Sequence, residues 1–295
     1  MLVSLTKILN DAKKGHYCVG AFNVPNLEAL QSTIEAAEEL NVPVIVQHAE
    51  VHESMISLET IGPIMVEMAK KAKVPVCVHF DHGASFDLCV RAMQIGFTGI
   101  MYDASTKPYE DNVKETKELV KIAHALGVGV EAELGTMFNS SVGAGEGRGS
   151  VQLENFASAD DCYTNPKQAK DFVERTGVDC LAIAFGTSHG VYLTKPVLDL
   201  NRITLIKNEI DIPFVMHGGS GVSDEDFKQS IKNGICKVNY YTYGAIAGCE
   251  AVKEMFKAKG DNKVFYHDIV EAGKKGIKAD VKKAMQVFCS TLLEK

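Results

Sequence analysis

Eight short, β-rich runs recur along this chain, and amphipathic stretches separate them; that alternation restricts the fold more than any other feature. The expected strands are Tyr17–Val24, Pro43–Ala49, Val76–Phe80, Gly99–Tyr102, Gly129–Leu134, Cys180–Phe185, Pro213–Met216 and Cys236–Tyr240. Several are almost unbroken apolar runs, as parallel strands covered on both faces require. Helices are expected between them, for example over 27–40, 58–71, 112–126, 166–176 and 224–233. Pro43, Pro75 and Pro213 stand at or just before strand starts, where no helix can continue, and Gly96, Gly127, Gly177 and Gly234 fall at helix ends. Strands that alternate with single helices call for right-handed parallel crossovers. Eight such units predict an α/β fold, a closed (β/α)8 TIM barrel, with an open doubly wound sheet as the alternative. The 295 residues suffice for a barrel of roughly 250 residues plus extensions. No linker divides the chain, so a single domain over 1–295 is expected. Residues 136–164, rich in Gly, Ser and Asn, form the longest stretch without periodicity and are expected to be a mobile active-site loop.

Charge narrows the partners. A net charge of −7 with scattered Lys and Arg speaks against nucleic acid and anionic membranes. No apolar run approaches the roughly 18 residues of a membrane span, and the first residues read as an amphipathic helix rather than a signal peptide. The eight cysteines form no CxxC pair and mostly sit in apolar runs, which suggests buried reduced thiols and a cytoplasmic location.

The unusual polar residues collect at the C-terminal ends of the expected strands. Asp81-His82-Gly83 follows the third, Asp103 the fourth, and Glu131 and Glu133 close the fifth. Gly186-Thr-Ser-His189-Gly190 follows the sixth, His217-Gly218-Gly219-Ser220-Gly221 the seventh, and Asn239 through Thr242 end the eighth. Barrel active sites are assembled from just these ends. His82, His189 and His217 are therefore expected to converge, and three neutral imidazoles with an open fourth position make a catalytic zinc site. His79 is expected to point away from Asp81, as a packing or supporting residue. His16, His52, His124 and His267 are expected in solvent, and His48 is left open. The glycine-rich turn after His217 leads into a helix, so its backbone N–H groups are suited to a phosphate, although a tight strand-to-helix turn would look the same.

These residues resemble the class II ketose-bisphosphate aldolases along nearly the whole chain, above all the fructose- and tagatose-1,6-bisphosphate branch. The matching motifs are Gly15-His-Tyr-Cys-Val-Gly-Ala-Phe-Asn23-Val, Val78-His79-Phe-Asp81-His82-Gly83 and Val130-Glu131-Ala-Glu133-Leu-Gly135. Tyr163-Thr-Asn-Pro166, Gly186-Thr-Ser-His189-Gly190, His217-Gly-Gly-Ser-Gly221 and Lys237-Val-Asn239-x-x-Thr242 complete the set. The resemblance implies His82, His189 and His217 as ligands of one Zn2+, and Asp81 as the proton-transfer residue. It implies Asp103 and Glu133 as a second or displaced metal site, and Asn23 as a substrate contact. Gly190, Gly218, Gly219, Ser220, Asn239, Tyr240, Tyr241 and Thr242 would hold the dihydroxyacetone phosphate half, partly through backbone N–H groups. A monovalent cation, Na+ or K+, near that phosphate and a dimeric or tetrameric homo-oligomer are further implications. The reaction implied is retro-aldol cleavage of a ketose 1,6-bisphosphate, in which a Lewis acid stabilises the carbanion left on the ketone half.

Two departures from the family pattern stand out. The segment Gly135 to Gly149 lacks the short loop with Gly-Gly and an acidic pair, which leaves Glu146 as a candidate for proton exchange. Tyr240 and Tyr241 replace small, β-branched or acidic residues. Fructose 1,6-bisphosphate is the first substrate reading, followed by the tagatose isomer and by a sugar-acid phosphate. A metal-dependent barrel hydrolase is the rival enzyme class, but the first strand offers Asn23 where a His-x-His would be needed. A non-catalytic sugar-phosphate binder would not need Asp81 with the three histidines.

Overall fold

The computed structural model describes residues 1–136, 162–192 and 195–294, with the backbone of Phe138–Asn139. Its centre is a closed barrel of eight parallel strands. They are β1 (Val19–Asn23), β2 (Val44–Ala49), β3 (Val76–Gly83), β4 (Gly99–Tyr102), β5 (Gly129–Leu134), β6 (Cys180–Ile183), β7 (Phe214–Met216) and β8 (Ile235–Tyr240). Each pairs with the next in sequence, and β8 closes on β1 by placing Lys237 opposite Val19 and Asn239 opposite Ala21. The predicted TIM barrel is thus the observed one.

Helices α1 (Leu5–Gly15), α2 (Leu27–Leu40), α3 (Leu58–Lys71), α4 (Phe86–Ile95), α5 (Tyr109–Ala125) and α6 (Pro166–Thr176) precede α7 (Leu200–Lys207) and α8 (Asp224–Asn233). Two long helices, α9 (Thr242–Lys259) and α10 (Tyr266–Phe288), and the short α11 (Ser290–Leu293) end the chain. Gly96 and Gly177 cap α4 and α6 in left-handed geometry, as their positions predicted.

The first helix does not flank the barrel but closes its N-terminal end. Ser4 caps it, accepting a hydrogen bond from the Lys7 N–H. Leu5, Ile8, Leu9 and Ala12 lie on one stripe and are all buried. Each of the three larger side chains contributes about 1.5–3 kcal/mol by that burial. Space for α1 comes from Gly99 and Gly129 at the starts of β4 and β5. A Cβ at Gly99 would meet Leu5 Cβ at 2.8 Å, and one at Gly129 would meet Thr6 Oγ1 at 2.7 Å. With the bottom sealed by apolar side chains, the polar residues are left to the other end.

At the far end of the chain, α10 packs along α9 and α2 and ends in Phe288, whose ring meets Phe227 and Tyr240 and whose carbonyl accepts from the Cys18 N–H. All eight cysteines are free, and seven are buried; Cys249 is exposed. No helix among the described residues is long and apolar enough to cross a membrane.

Candidate active site

Asp81 and His82 are sequence neighbours on β3, so regular strand alternation would send them to opposite faces. The chain solves this with a bulge. The register of β3 against β4 slips between Phe80 and Gly83, and His82 takes a left-handed φ of 46°. The extra residue turns the imidazole back into the barrel mouth. There it meets His189 from the loop after β6 and His217 at the end of β7, with ring centroids 5.0 and 4.6 Å away. One nitrogen from each of the three buried imidazoles lies within 4.8 Å of the other two.

Carboxylates orient these rings from outside. The Nδ1–H of His82 donates to Asp103 Oδ2 at 2.8 Å, and the Nε2–H of His217 donates to Glu131 Oε1 at 2.8 Å. Asp103 is itself held by the Ser105 N–H and hydroxyl. Glu133 Oε2 stands 2.8 Å from His217 Nδ1, on the inner side of the cluster. For His82 and His217, one nitrogen tied to a carboxylate and the ring turned to the cluster is the arrangement of metal-binding imidazoles with their supporting shell. Burial keeps His189 neutral by pushing its pKa well below the ordinary value. The donor set therefore suits a tetrahedral divalent metal with one open position.

Asp81 lies beside this cluster, buried, with both carboxylate oxygens occupied. Oδ2 accepts from Asn23 Nδ2 at 3.1 Å and Gln47 Nε2 at 3.2 Å; Oδ1 accepts from Asn239 Nδ2 at 3.1 Å. Burial opposes ionisation, but the neighbouring His82 imidazole and the Lys237 ammonium outweigh it and hold this carboxyl well below the usual range. Among the described residues Asp81 forms no salt bridge, and three amides hold its carboxylate in one orientation.

The glycine loops after β6 and β7 are clasped together. Tyr192 donates its hydroxyl to the Gly218 carbonyl and accepts from the Ser188 N–H, both at 2.8 Å. Gly218 has φ +63°, and a Cβ there would sit 2.3 Å from the Ser188 carbonyl oxygen. Ser220 Oγ accepts from the Tyr241 N–H, which ties this loop to the start of α9. The expected helix after the loop, α8, already has Ser223 as its cap and three acids in its first turn. The first turn of α9 has none, and its Tyr241 cap residue supplies no side-chain capping bond. Of the two, α9 offers the better anion-facing end.

Residues 3–291 match the family described as fructose-bisphosphate aldolase class-II. The chain is 41% identical over 263 residues to a probable fructose-bisphosphate aldolase of Bacillus subtilis, covering 88% of each chain. It is 39% identical over 293 residues to the fructose-bisphosphate aldolase of Geobacillus stearothermophilus, covering 98% of each. The crystal structure of the YdjI aldolase from Escherichia coli K12 superposes with a TM-score of 0.82 at 36% identity, over 99% of this chain and 98% of that one. This chain belongs to the class II fructose-bisphosphate aldolase family.

The aldolase is thus a carbon–carbon lyase of a family that acts on small phosphorylated sugars. Most residues singled out in its sequence meet at one site: Asn23, Asp81, His82, Asp103, Glu133, His189, His217, Gly218 and Asn239. Glu146 lies outside the described residues, as does most of the 136–164 segment. The Tyr240 side chain turns away from the site, packing on Phe22 and Phe288 with its hydroxyl on Asp280. The side-chain amide of Asn239 faces Asp81 rather than the glycine loops.

Two expectations are corrected. His79 does not point away from Asp81: residues two apart share a strand face, and the bulge falls after Phe80, so both point into the barrel. His79 lies there 3.4 Å from Glu131, and burial lowers its pKa to about 3. His52 is not solvated; it is 2% exposed and packs its ring on Tyr241 at 5.2 Å. His16, His124 and His267 are exposed as expected, whereas His48 is buried beside Glu53. Sequence reasoning passed over Gln47, although an amide in the middle of the apolar run Val44-Ile-Val-Gln-His-Ala was its signal.

Proposed function

We propose that this aldolase cleaves a ketose 1,6-bisphosphate, fructose 1,6-bisphosphate first, into dihydroxyacetone phosphate and glyceraldehyde 3-phosphate. The observation that carries the reading is the triad of buried imidazoles, oriented by Asp103 and Glu131, beside a buried carboxylate at Asp81. His82, His189 and His217 would hold Zn2+, which supplies a Lewis acid for the negative charge that develops on the ketone half. Asp81 accepts the C4 hydroxyl proton as the C3–C4 bond breaks. The O–H electron pair becomes the new carbonyl of the aldehyde half, and the C3–C4 pair stays with the ketone half. Asp81 returns the proton in condensation. Its amide partners matter here, because a base held by three donors keeps one orientation through the proton transfer.

Gly190, Gly218, Gly219 and Ser220, with Tyr241 and Thr242 at the start of α9, form the phosphate cradle of the ketone half in this reading. A Na+ or K+ ion near it would offset the phosphate charge. Asp103 and Glu133 offer carboxylates for a second or displaced metal position. Loss of triose phosphate formation on EDTA treatment and recovery with Zn2+ is the expected result. A folded, zinc-loaded protein that cleaves no ketose phosphate overturns the reading.

A further inference from the structure

Lys237 lies on β8, fully buried at the centre of the barrel, and the reaction steps proposed above do not use it. Burying an ammonium is expensive, and an apolar side chain of the same length would fill the space at lower cost. Its contacts suggest why a lysine is there. The Nζ donates to Glu131, with distances of 2.8 and 3.2 Å to its two oxygens, and to Asn239 Oδ1 at 2.6 Å.

The second contact is directional. An amide has one oxygen and one NH2 group; with the oxygen of Asn239 on Lys237, the NH2 faces the opposite way, onto Asp81 Oδ1 at 3.1 Å. The other side of Asp81 repeats the arrangement. Gln47 Nε2 donates to Asn23 Oδ1 at 2.7 Å, which leaves Asn23 Nδ2 to face Asp81 Oδ2 at 3.1 Å. Two asparagines therefore flank the carboxylate, each with its amide oriented by a donor behind it.

We infer that Lys237 is a positioning residue for the retro-aldol step: by holding the Asn239 oxygen it fixes that amide with its NH2 on Asp81, and so aims the carboxylate. This rests on the reading of Asp81 as the proton-transfer group. Were Lys237 only the counter-ion of Glu131, its loss would not depend on Asn239.

A double-mutant cycle separates the two roles. It is built on Glu131→Gln, so that replacing Lys237 does not leave the Glu131 carboxylate without its partner, and is read at saturating zinc and substrate. With Asn239 present, Lys237→Met should lower kcat at least about tenfold with KM changed less than about threefold. With Asn239→Ala, the same replacement should cost less than about twofold. Equal losses in both backgrounds overturn the inference. A second readout needs no turnover: in the 15N-labelled, metal-free protein the Asn239 side-chain amide resonances should shift in Lys237→Met/Glu131→Gln relative to Glu131→Gln. Unshifted resonances also overturn it. If the protein cleaves no ketose phosphate, the functional reading fails, while the amide resonances still decide whether Lys237 orients Asn239.

Discussion

Replacing Gly218 with alanine puts a methyl group between the two loops that carry His189 and His217. The new Cβ would lie 2.3 Å from the Ser188 carbonyl oxygen and 2.5 Å from its carbon, where ordinary contact begins near 3.4 Å. The loops must part by about 1 Å to relieve this overlap. Both neighbours are backbone, so no side chain can rotate away. Ser188 precedes His189 and Gly218 follows His217, so the parting is transmitted to two of the three imidazoles. Zinc–nitrogen bonds of about 2.0–2.1 Å tolerate a displacement of only about 0.2 Å. The positive φ of Gly218 adds a backbone cost of about 1–2 kcal/mol for alanine. Gly127→Ala is the control, because its φ is +72° and nothing lies within 4 Å of the added carbon. Both variants should lose some thermal stability. Only Gly218→Ala should weaken zinc binding, by about 100-fold or about 2.7 kcal/mol, measured by competition against a chromogenic chelator. Zinc affinity within about threefold of wild type in Gly218→Ala would refute the coupling between these loops and the proposed metal ligands.

Asp81→Asn should lower cleavage by about 10²–10⁴-fold with zinc content unchanged, and retained turnover removes Asp81 from proton transfer. Asp103→Ala deprives His82 of its Nδ1 partner and should weaken zinc binding by about 10–100-fold, as equilibrium dialysis would measure. Glu131 gives a pH signature. Burial opposes its charge, but Lys237 and the hydrogen bond from His217 win and hold its pKa at about 2, below the ordinary 4.5. A depressed carboxylate stabilises the fold above its ordinary pKa and loses that contribution as pH falls. The melting-temperature advantage of metal-free wild type over Glu131→Gln should therefore shrink between pH 4.5 and about 2; a growing advantage contradicts the assignment. Phe256, Phe265 and Tyr266 are exposed on α9 and at the start of α10, which supports a homo-oligomer; light scattering should give a dimer or tetramer, and a monomer counts against it.

The barrel was legible because its signals are local. Apolar runs such as Val44–Val46 and Leu181–Ile183 mark strands covered on both sides, and a proline or glycine at each boundary marks the turn. The convergence of the three histidines was legible for a related reason: each stands beside a glycine at a strand end, where a parallel barrel opens. Amide and charge partnerships were not. Lys237 and Glu131 are 106 positions apart, and Asn239 and Asp81 are 158 apart, so no local pattern links them. Alternation alone should have put His79 on the same face as Asp81. It did not foresee the bulge that brings His82 to that face as well, because a bulge depends on the register with β4. Sequence by itself thus determined the barrel, the end that carries the chemistry and the residue types gathered there. Only the tertiary structure decided which way each amide faces, which carboxylate holds which imidazole and why a lysine lies buried among them, since those choices are made by side chains that meet only after the barrel closes.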